Sequence, residues 1–321
     1  MHALTFNTFG GPEVLEWRHL PDPPLPPGHI QLAMRAIGLN FADIYRRRGD
    51  YVLTGVAPHI AGYEGAGDVV AVAADVTGIT IGDRIGFADV PFANATRVTV
   101  PIDHAVQLPP TLDYVSAAAL LLQGLTAQYL IEDSYALRSG EQVLIHAAAG
   151  GVGQYLVQLA VARGASVIAL ASTPTKRAIA TRLGAKYIIG YEEDWVAQVV
   201  ALSGGGVQVA YDGVGATLLQ SLKTVRPRGT LVSYGMAGGM PPAVDPRVLM
   251  VSSKTLVGGD LWDYLDSHAA RVQRTARLFA AVGSGALKLS AIETYALSRG
   301  AEAHRRLETR SFAGKVVLVP D

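Results

Sequence analysis

A run of small residues, Ala147-Ala-Ala-Gly-Gly-Val-Gly153, has the composition and glycine spacing of a loop that binds a pyrophosphate. Gly150 and Gly153 occupy the second and third glycine positions of the dinucleotide-binding fingerprint, and Ala148 occupies the first. Glycines are needed there because the backbone approaches the phosphates closely and the helix packs closely on the strand. The alternative interpretation is a tight turn that only packs a helix on a strand.

The segments on both sides of this loop predict the elements that it requires. Gln142–His146 and Ser166–Leu170 are short apolar runs typical of buried strands. Gln154–Arg163 has apolar residues at helical spacing. A strand, turn, helix and strand in this order place the glycines at a helix N-terminus, where backbone amides bind anions. The sequence therefore predicts a dinucleotide site.

The residues after the second strand indicate which dinucleotide is bound. An acidic side chain normally accepts hydrogen bonds from the ribose of NAD here, but this chain has Ala171-Ser-Thr-Pro-Thr-Lys-Arg177. The hydroxyls of Ser172 and Thr173 could donate to a 2′-phosphate, and the cation of Lys176 could pair with it, as could that of Arg177. We therefore expect NADPH. In the alternative interpretation, Ser172 caps the next helix and both cations are solvated.

Composition limits the class of protein. The chain has 321 residues, of which 50% are hydrophobic and 17% are charged, as expected for two domains with apolar cores. The formal net charge is zero, which gives no electrostatic reason to expect nucleic acid or a membrane as the main partner. The N-terminus lacks a signal-peptide pattern, and we expect no apolar run of membrane-span length. The sequence thus predicts a cytoplasmic protein.

The chain contains no cysteine, which excludes disulfides, thiolate metal sites and cysteine nucleophiles. This composition fits a reducing compartment. The eight histidines show no spacing typical of metal ligands. We expect no bound metal.

The arrangement of predicted elements indicates two domains. Short runs such as Ile30–Met34 and Gly67–Val72, separated by glycine and proline turns, predict a partly open β-barrel over the first third. After Leu170, strands and helices alternate, which predicts a doubly wound parallel sheet. The segment after about residue 270 has the pattern of additions to the first domain. The predicted domains are 1–122 with 270–321, and 123–269.

Seven motifs occur in an order characteristic of one family, so that the set is more specific than any single motif. They are Gly10-Gly-Pro-Glu-Val-Leu15, Ala36–Gly49, Gly62-Tyr-Glu-Gly-Ala-Gly67, Gly82-Asp-Arg84, Gly124-Leu-Thr126, His146–Gly153 and Tyr211-Asp-Gly-Val-Gly215. With them, nearly the whole chain resembles the zinc-independent quinone oxidoreductases of the medium-chain dehydrogenase/reductase superfamily, which include zeta-crystallin. The resemblance implies a GroES-like substrate domain, a Rossmann domain, NADPH as reductant and usually a homodimer.

This resemblance also bears on zinc. Alcohol dehydrogenases of the superfamily bind catalytic zinc largely through cysteine and the histidine of a Gly-His-Glu motif. Here Tyr63 stands in the place of that histidine, Gln123 stands where a cysteine is expected, and the segment between Phe87 and Val98 lacks a cysteine-rich lobe. Without zinc an alcohol is not activated for oxidation, so we expect hydride transfer to an already electrophilic quinone or conjugated ketone.

By resemblance, the residues that line the substrate cleft are Asn40, Tyr45, Tyr51, Gln123 and Thr126. Tyr45 and Tyr51 are the best candidates for donating a hydrogen bond to the developing oxyanion, because a phenol can donate while its ring packs on a flat substrate. In the alternative interpretation each tyrosine is a half-buried barrel residue. Asp43 is a further cleft candidate, and its alternative role is to cap the helix that carries Tyr45.

The cofactor contacts carried over from the family lie in four places. Gly151 and Val152 fall at the pyrophosphate turn, and Ser172 with Lys176 at the adenosine phosphate. Tyr191 falls near the adenine, with a surface position as the alternative. Gly235 and Met236 fall beside the nicotinamide ribose. Bacterial family members often carry an arginine around Leu256–Trp262, and this chain has none there. We expect a backbone or different contact instead.

Two other functions stay open at this point. An enone or alkenal double-bond reductase would use the same cofactor and a similarly flat acceptor. A non-enzymatic NADPH-binding protein is the other alternative, because zeta-crystallin relatives also serve as lens proteins and RNA-binding proteins. Neutral charge argues against RNA. A strand predicted at Lys254–Gly258 would lie at a sheet edge, which predicts a twofold dimer through this region.

Overall fold

A computed structural model describes residues 1–53 and 55–321. The chain forms two compact units. Unit 1 comprises Met1–Leu122 and Leu265–Asp321, and unit 2 comprises Gln123–Tyr264. The chain returns to unit 1 at Leu265, whereas the sequence pattern predicts the return near residue 270.

The first part of unit 1 is rich in short strands, as its glycine and proline turns predict. Its strands are β1 (His2–Phe6), β2 (Glu16–His19), β3 (His29–Leu39), β4 (His59–Ile60), β5 (Glu64–Val72), β6 (Arg84–Ala88), β7 (Arg97–Pro101) and β8 (Val106–Gln107). Two helices accompany them, α1 (Phe41–Arg48) and α2 (Tyr114–Tyr129). The boundary between the units falls inside α2.

Unit 2 alternates strands and helices. In chain order its elements are β9 (Gln142–Ile145), α3 (Gly151–Ala162), β10 (Ser166–Leu170), α4 (Pro174–Arg182), β11 (Tyr187–Ile189), α5 (Trp195–Leu202), β12 (Val207–Asp212), α6 (Leu218–Thr224), β13 (Val225–Ser233), α7 (Pro246–Ser252) and β14 (Thr255–Gly258). All strand pairs are parallel, in the order β11-β10-β9-β12-β13-β14. This is the Rossmann order, in which the strand order reverses at β9 and ligands bind beside its carboxyl end.

The last segment completes unit 1 with α8 (His268–Gly283), β15 (Ala291–Ala296), α9 (Gly300–Glu308) and β16 (Gly314–Val319). Strand β16 pairs antiparallel with β3, with Val317 opposite Gly38. The resulting sheet has the order β15-β16-β3-β5-β6-β8, and β7 also pairs with β3. A smaller sheet has the order β2-β1-β4.

The two cores follow from the sequence patterns of the strands. In unit 1, the long strand β3 buries Ile30, Leu32 and Ile37 against the other strands of the barrel. In unit 2, helices cover both faces of a parallel sheet, so its strands are almost continuously apolar, and Leu144 and Ile168 are fully buried. The predicted fold class, a GroES-like domain plus a Rossmann domain, is confirmed.

One helix bears on the expectation that no apolar run reaches membrane-span length. Helix α2 continues as a π-helical turn to Ser134, and these 21 residues are long and apolar enough to cross a membrane. The sequence does not show this length as one apolar run, because polar residues such as Gln123 and Thr126 interrupt it and Glu132 and Asp133 lie near its end. Most of the helix is buried within the protein, as is typical of a core helix.

Candidate functional site

The turn between β9 and α3 brings backbone amides together at the start of a helix. Gly150 is the N-cap of α3 and provides no side-chain acceptor. The first N–H groups of a helix have no acceptor within it, and here they belong to Gly151, Val152 and Gly153. The turn can therefore bind an anion through backbone amides and the helix dipole.

Close packing explains the glycines of this turn. A Cβ atom on Gly153 would lie 2.3 Å from the carbonyl oxygen of Ala147, and one on Gly151 would lie 2.2 Å from Oε1 of Gln123. Ala147 itself has a left-handed φ of 46°. Ala148, which replaces the first glycine of the fingerprint, is fully buried. The amide of Gln123 thus packs on the first residue of α3, beside the turn.

A chain of hydrogen bonds, which is buried from His146 to Asp212, supports the turn. The N–H of Ala147 donates to the hydroxyl of Tyr191 (2.9 Å), which lies 3.2 Å from Nδ1 of His146. Nε2 of His146 lies 2.9 Å from Oγ of Ser221, which donates to Oδ2 of Asp212 (2.6 Å). Each group donates once and accepts once if Nε2 of the imidazole carries its proton, so the network assigns this tautomer.

The charge of this network resides at one end. Burial lowers the pKa of His146 below its usual value, so the imidazole is neutral. Burial alone would raise the pKa of Asp212, but its electrostatic interaction with the His146 ring and hydrogen bonds from Ser221 and Thr217 lower it below its usual value. Burial also raises the pKa of Tyr191, which stays a phenol. A carboxylate thus anchors the neutral groups that hold the turn.

Sequence reasoning placed Tyr191 near the adenine and did not identify His146, Ser221 or Asp212. The structure places the Tyr191 hydroxyl beneath the glycine turn, and its proximity to adenine stays a prediction. Two of the quoted motifs contain His146 and Asp212, which lie at the carboxyl ends of the neighbouring strands β9 and β12. Their positions at strand ends could have indicated that they lie close together.

The candidate site for the 2′-phosphate lies at the carboxyl end of β10. Ser172 is exposed, and Thr173 rather than Ser172 caps α4, because its Oγ1 accepts the N–H of Lys176 at 3.3 Å. The alternative interpretation that Ser172 is the cap was therefore wrong by one residue. Ser172 and Lys176 stay candidate phosphate contacts.

Arg177 is the other cation considered for the phosphate. Its guanidinium forms ion pairs with Glu192 and with Glu193 (Nη1 to Oε1, 3.4 Å). A guanidinium that already faces two carboxylates is a weaker ligand for a phosphate. These ion pairs therefore count against Arg177 as the phosphate ligand.

Gly235 and Met236, predicted at the nicotinamide ribose, follow β13. A Cβ atom on Gly235 would lie 3.0 Å from the carbonyl oxygen of Gly213, which also accepts the N–H of Ala237 at 3.1 Å. Gly213 follows β12, the parallel neighbour of β13. Both segments therefore lie at the same edge of the sheet as the glycine turn.

In unit 1, a buried ion pair positions Asn40. Lys315 and Glu64 have no exposed side-chain surface, and Nζ of Lys315 lies 2.6 Å from Oε2 of Glu64. Lys315 also donates to Oδ1 of Asn40 (2.7 Å), and Nδ2 of Asn40 donates to Glu64 (2.9 Å). Oε1 of Glu64 accepts the N–H of Leu122 (2.6 Å). The Asn40 amide is thereby fixed in one orientation.

Asp43 contributes to the start of α1. Its Oδ2 accepts the N–H of Asn40, the N-cap residue, at 2.8 Å, as a helix cap does. The side chain is almost fully buried, and burial raises its pKa to about 6, although the charge of Arg46 opposes this shift. Capping is thus an observed role of Asp43, and contact with substrate stays a prediction.

Two candidate oxyanion donors lie in one aromatic cluster. The ring centroids of Tyr45 and Tyr51 are 6.4 Å apart, and 40% of Tyr51 is exposed. The guanidinium carbon of Arg46 lies 3.7 Å from the ring centroid of Tyr63 and 5.1 Å from that of Tyr51. Sequence reasoning did not identify Arg46, which is one of three consecutive arginines.

The predicted site residues belong to different units. Asn40, Asp43, Tyr45 and Tyr51 belong to unit 1, whereas Gln123 and Thr126 belong to unit 2 with all the cofactor candidates. Across residues 1–53 and 55–321, no group of three or more histidine, aspartate or glutamate side chains could hold a metal ion.

Comparisons with known proteins identify both units. Residues 26–137 match the family model described as alcohol dehydrogenase GroES-like domain, and residues 151–271 match the one described as zinc-binding dehydrogenase. A quinone oxidoreductase of Pseudomonas aeruginosa is 38% identical over 99% of both chains. A 2-haloacrylate reductase of a Burkholderia species is 36% identical over 99% of this chain and 98% of its own.

Solved structures agree with these relatives. The crystal structure of Escherichia coli quinone oxidoreductase complexed with NADPH has a TM-score of 0.96 with 34% identity, and the match covers all of both chains. This chain belongs to the quinone oxidoreductase family of the medium-chain dehydrogenase/reductase superfamily.

Proposed function

We propose that this protein is an NADPH-dependent quinone reductase that works without zinc. The observation that carries the proposal is the glycine turn at the carboxyl end of β9, followed by hydroxyls and a lysine instead of an acid after β10. This turn belongs to a chain whose relatives are named quinone oxidoreductases. NADPH, when bound, supplies a hydride from its nicotinamide ring.

The residues of unit 2 fit such a cofactor. The pyrophosphate fits the amides of Gly151 and Val152, because Gly150 provides no capping side chain that would compete. Gly153 lets α3 pack against the turn. Ser172 and Lys176 suit the 2′-phosphate, and the E. coli relative was crystallised with NADPH.

The residues of unit 1 suit a flat acceptor on which negative charge develops. Tyr45 and Tyr51 each combine a ring that can pack on a quinone with a hydroxyl that can donate to its oxygen. Asn40 is held rigidly by Lys315 and Glu64, and its amide N–H groups donate to Glu64 and to the carbonyl oxygen of Gly38, so that it offers a fixed surface and no further donor. In this role the tyrosines donate hydrogen bonds, and Asn40 positions the acceptor.

Zinc independence rests on the residue types at the places where relatives in the superfamily bind the metal. Tyr63 and Gln123 occupy two of these places, and the sequence contains no cysteine. Neither a phenol nor an amide is a good zinc ligand beside the usual cysteine and histidine. We therefore expect reduction of an electrophilic acceptor and no oxidation of simple alcohols.

The relative named 2-haloacrylate reductase favours a second candidate, reduction of an activated carbon–carbon double bond. Quinones, enones and alkenals are all flat conjugated acceptors, so the same cofactor and the same aromatic cluster serve both reactions. The two candidates differ only in the acceptor.

We also propose a cytoplasmic homodimer. Strand β14 is an outer strand of its sheet, and exposed strand edges are usually covered. Helix α7 exposes Met250 and Val251, whose exposed fractions are 75% and 87%. Both features support a twofold interface through this part of unit 2. A cysteine-free chain suits a reducing compartment.

The test is a panel of acceptors with protein that has been dialysed exhaustively against a chelator. The proposal predicts NADPH oxidation with small quinones or conjugated ketones, and no reduction of NADP⁺ by simple alcohols. Activity that returns only with added zinc would contradict zinc independence. Tight NADPH binding with no turnover of any acceptor would indicate a binding protein.

A further inference from the structure

Arg46 is a buried cation without the acceptors that a buried cation normally has. Its residue is 3% exposed, and its Nε and Nη1 atoms have no hydrogen-bond partner in the described part of the chain. A guanidinium has five N–H donors, and leaving them unpaired away from water is unfavourable. This arrangement calls for an acceptor that the protein itself does not supply.

The next residue on α1 shows how the fold satisfies a buried arginine. Nε of Arg47 donates to the carbonyl oxygen of Gly10 (3.0 Å), and Nη1 lies 2.9 Å from Nδ1 of His304. Nη2 of Arg47 forms an ion pair with Glu308. Both neighbouring arginines are therefore buried, but the hydrogen bonds that satisfy Nε and Nη1 of Arg47 have no counterpart at Nε and Nη1 of Arg46.

The surroundings of Arg46 hold the plane of its guanidinium without accepting hydrogen bonds from Nε or Nη1. The guanidinium stacks on Tyr63 at 3.7 Å and lies 5.1 Å from the Tyr51 ring centroid. Stacking uses the face of the guanidinium and leaves its N–H edge for an in-plane ligand. The charge of Arg46 acts on Asp43 and lowers the pKa of its carboxyl group, but Oδ2 of Asp43 accepts the N–H of Asn40.

We propose that Arg46 binds the carboxylate of a conjugated acid, so that acrylate-type acids are a substrate class of this protein. A carboxylate matches the planar fork of a guanidinium and can accept two parallel hydrogen bonds from it. This inference rests on the proposed function, in which Tyr51 faces the acceptor. The guanidinium carbon of Arg46 lies 5.1 Å from the Tyr51 ring centroid, so the conjugated plane of an acid bound at Arg46 would lie beside Tyr51.

In this reaction, Arg46 stabilises the negative charge that develops on the acid. The carbon–carbon double bond gains a hydride from NADPH at the β-carbon and a proton from water at the α-carbon, while NADPH becomes NADP⁺. Addition of hydride to an acrylate places a second negative charge on the α-carbon and carboxylate. A fixed guanidinium stabilises this charge more than that of the starting acid. Neutral quinones do not need this cation.

The test compares an acid with its neutral ester. NADPH oxidation is measured with 2-chloroacrylate, its methyl ester and 1,4-benzoquinone, for the unmodified protein, Arg46→Met and the control Arg48→Met. Arg48 lies on the same helix, and 49% of its side chain is exposed. Arg46→Met should lower the ratio of kcat/KM for acid over ester by roughly ten- to a hundredfold, as for loss of a charge-assisted hydrogen bond. Arg48→Met should change this ratio by less than about twofold.

Binding without turnover gives an independent readout. The saturated acid 2-chloropropionate should bind the cofactor-free protein in calorimetry, and Arg46→Met should abolish this binding. If Arg46→Met does not fold, Arg46→Lys keeps the charge and loses the fork, and the acid-to-ester ratio should still fall. An unchanged ratio in the folded variants would overturn the inference.

The outcomes separate this inference from the proposed function. If benzoquinone is reduced but 2-chloroacrylate is not reduced and 2-chloropropionate does not bind, the role of Arg46 is overturned and quinone reduction stands. Equal losses for acid and ester in Arg46→Met would show a merely structural arginine. Failure to oxidise NADPH with any of the three acceptors would overturn both proposals.

Discussion

The substitution Gly153→Ala tests whether the turn before α3 binds a dinucleotide or only packs a helix on a strand. The new Cβ atom would lie 2.3 Å from the Ala147 carbonyl oxygen and 2.9 Å from Cα of Ala148, whereas real Cβ contacts stay above 3.0 Å. Both neighbours are backbone atoms and cannot rotate away. The start of α3 must therefore move from the turn by about 0.7 Å, the difference between 2.3 and 3.0 Å.

The size of this shift determines how much NADPH affinity should be lost. An N–H···O bond of about 2.9 Å that lengthens by this amount reaches about 3.6 Å and is no longer a hydrogen bond. Loss of one or two charge-assisted bonds to the pyrophosphate, at about 1.5 to 3 kcal/mol each, weakens NADPH binding by roughly ten- to a thousandfold. Overpacking also lowers the free energy of unfolding by about 1 to 3 kcal/mol.

The assay is calorimetric NADPH titration combined with urea unfolding. Gly283→Ala is the matched control, because a Cβ atom on Gly283 would meet nothing within 4 Å. This control lies at the end of α8 and should keep the affinity of the unmodified protein. A Gly153→Ala protein that is destabilised but binds NADPH within about threefold of the control would refute the cofactor role and leave a packing turn.

Four further predictions follow from the site. Lys176→Ala should lower NADPH affinity roughly ten- to a hundredfold and leave NADH affinity nearly constant. Equal affinities of the unmodified protein for NADPH and NADH would contradict the role of Lys176. Tyr51→Phe or Tyr45→Phe should lower kcat roughly ten- to a thousandfold at constant NADPH affinity, and an unchanged kcat in both would make these tyrosines cleft walls. The pKa of Asp43 is about 6 in the folded protein and 3.8 ordinarily, so ionising its buried carboxyl lowers stability as the pH rises. The unfolding free energy of the unmodified protein, measured relative to that of Asp43→Asn, should therefore decrease as the pH is raised from 3.8 to about 6. Light scattering should show a dimer, and a fully active monomer at micromolar concentration would contradict the interface at β14.

Local patterns were predictable from the sequence because their physical causes are local. The strand, glycine turn and helix around Gly150–Gly153 lie within about twenty residues, so spacing alone indicates them. The sheet edge at β14 followed from the order of alternating strands and helices. The cap of α4 was misplaced by one residue, since Ser172 and Thr173 are both good caps and only backbone geometry decides between them.

The polar networks were not predictable, because their members are brought together only by tertiary structure. His146 and Ser221 are 75 positions apart in the chain, and Glu64 and Lys315 are 251 apart. The different surroundings of Arg46 and Arg47 also arise only in the tertiary structure. Their neighbouring positions in the sequence give no indication that the fold supplies hydrogen-bond acceptors for Nε and Nη1 of only one of the two side chains.

The most direct test of the central claim is the oxidation of NADPH by a small quinone, followed by absorbance in the presence of excess chelator. The account predicts that one equivalent of NADPH is consumed for each quinone reduced, that NADH is a poorer reductant, and that simple alcohols with NADP⁺ give no reaction. Consumption of NADPH only after zinc is added, or oxidation of an alcohol by the chelated protein, would contradict it.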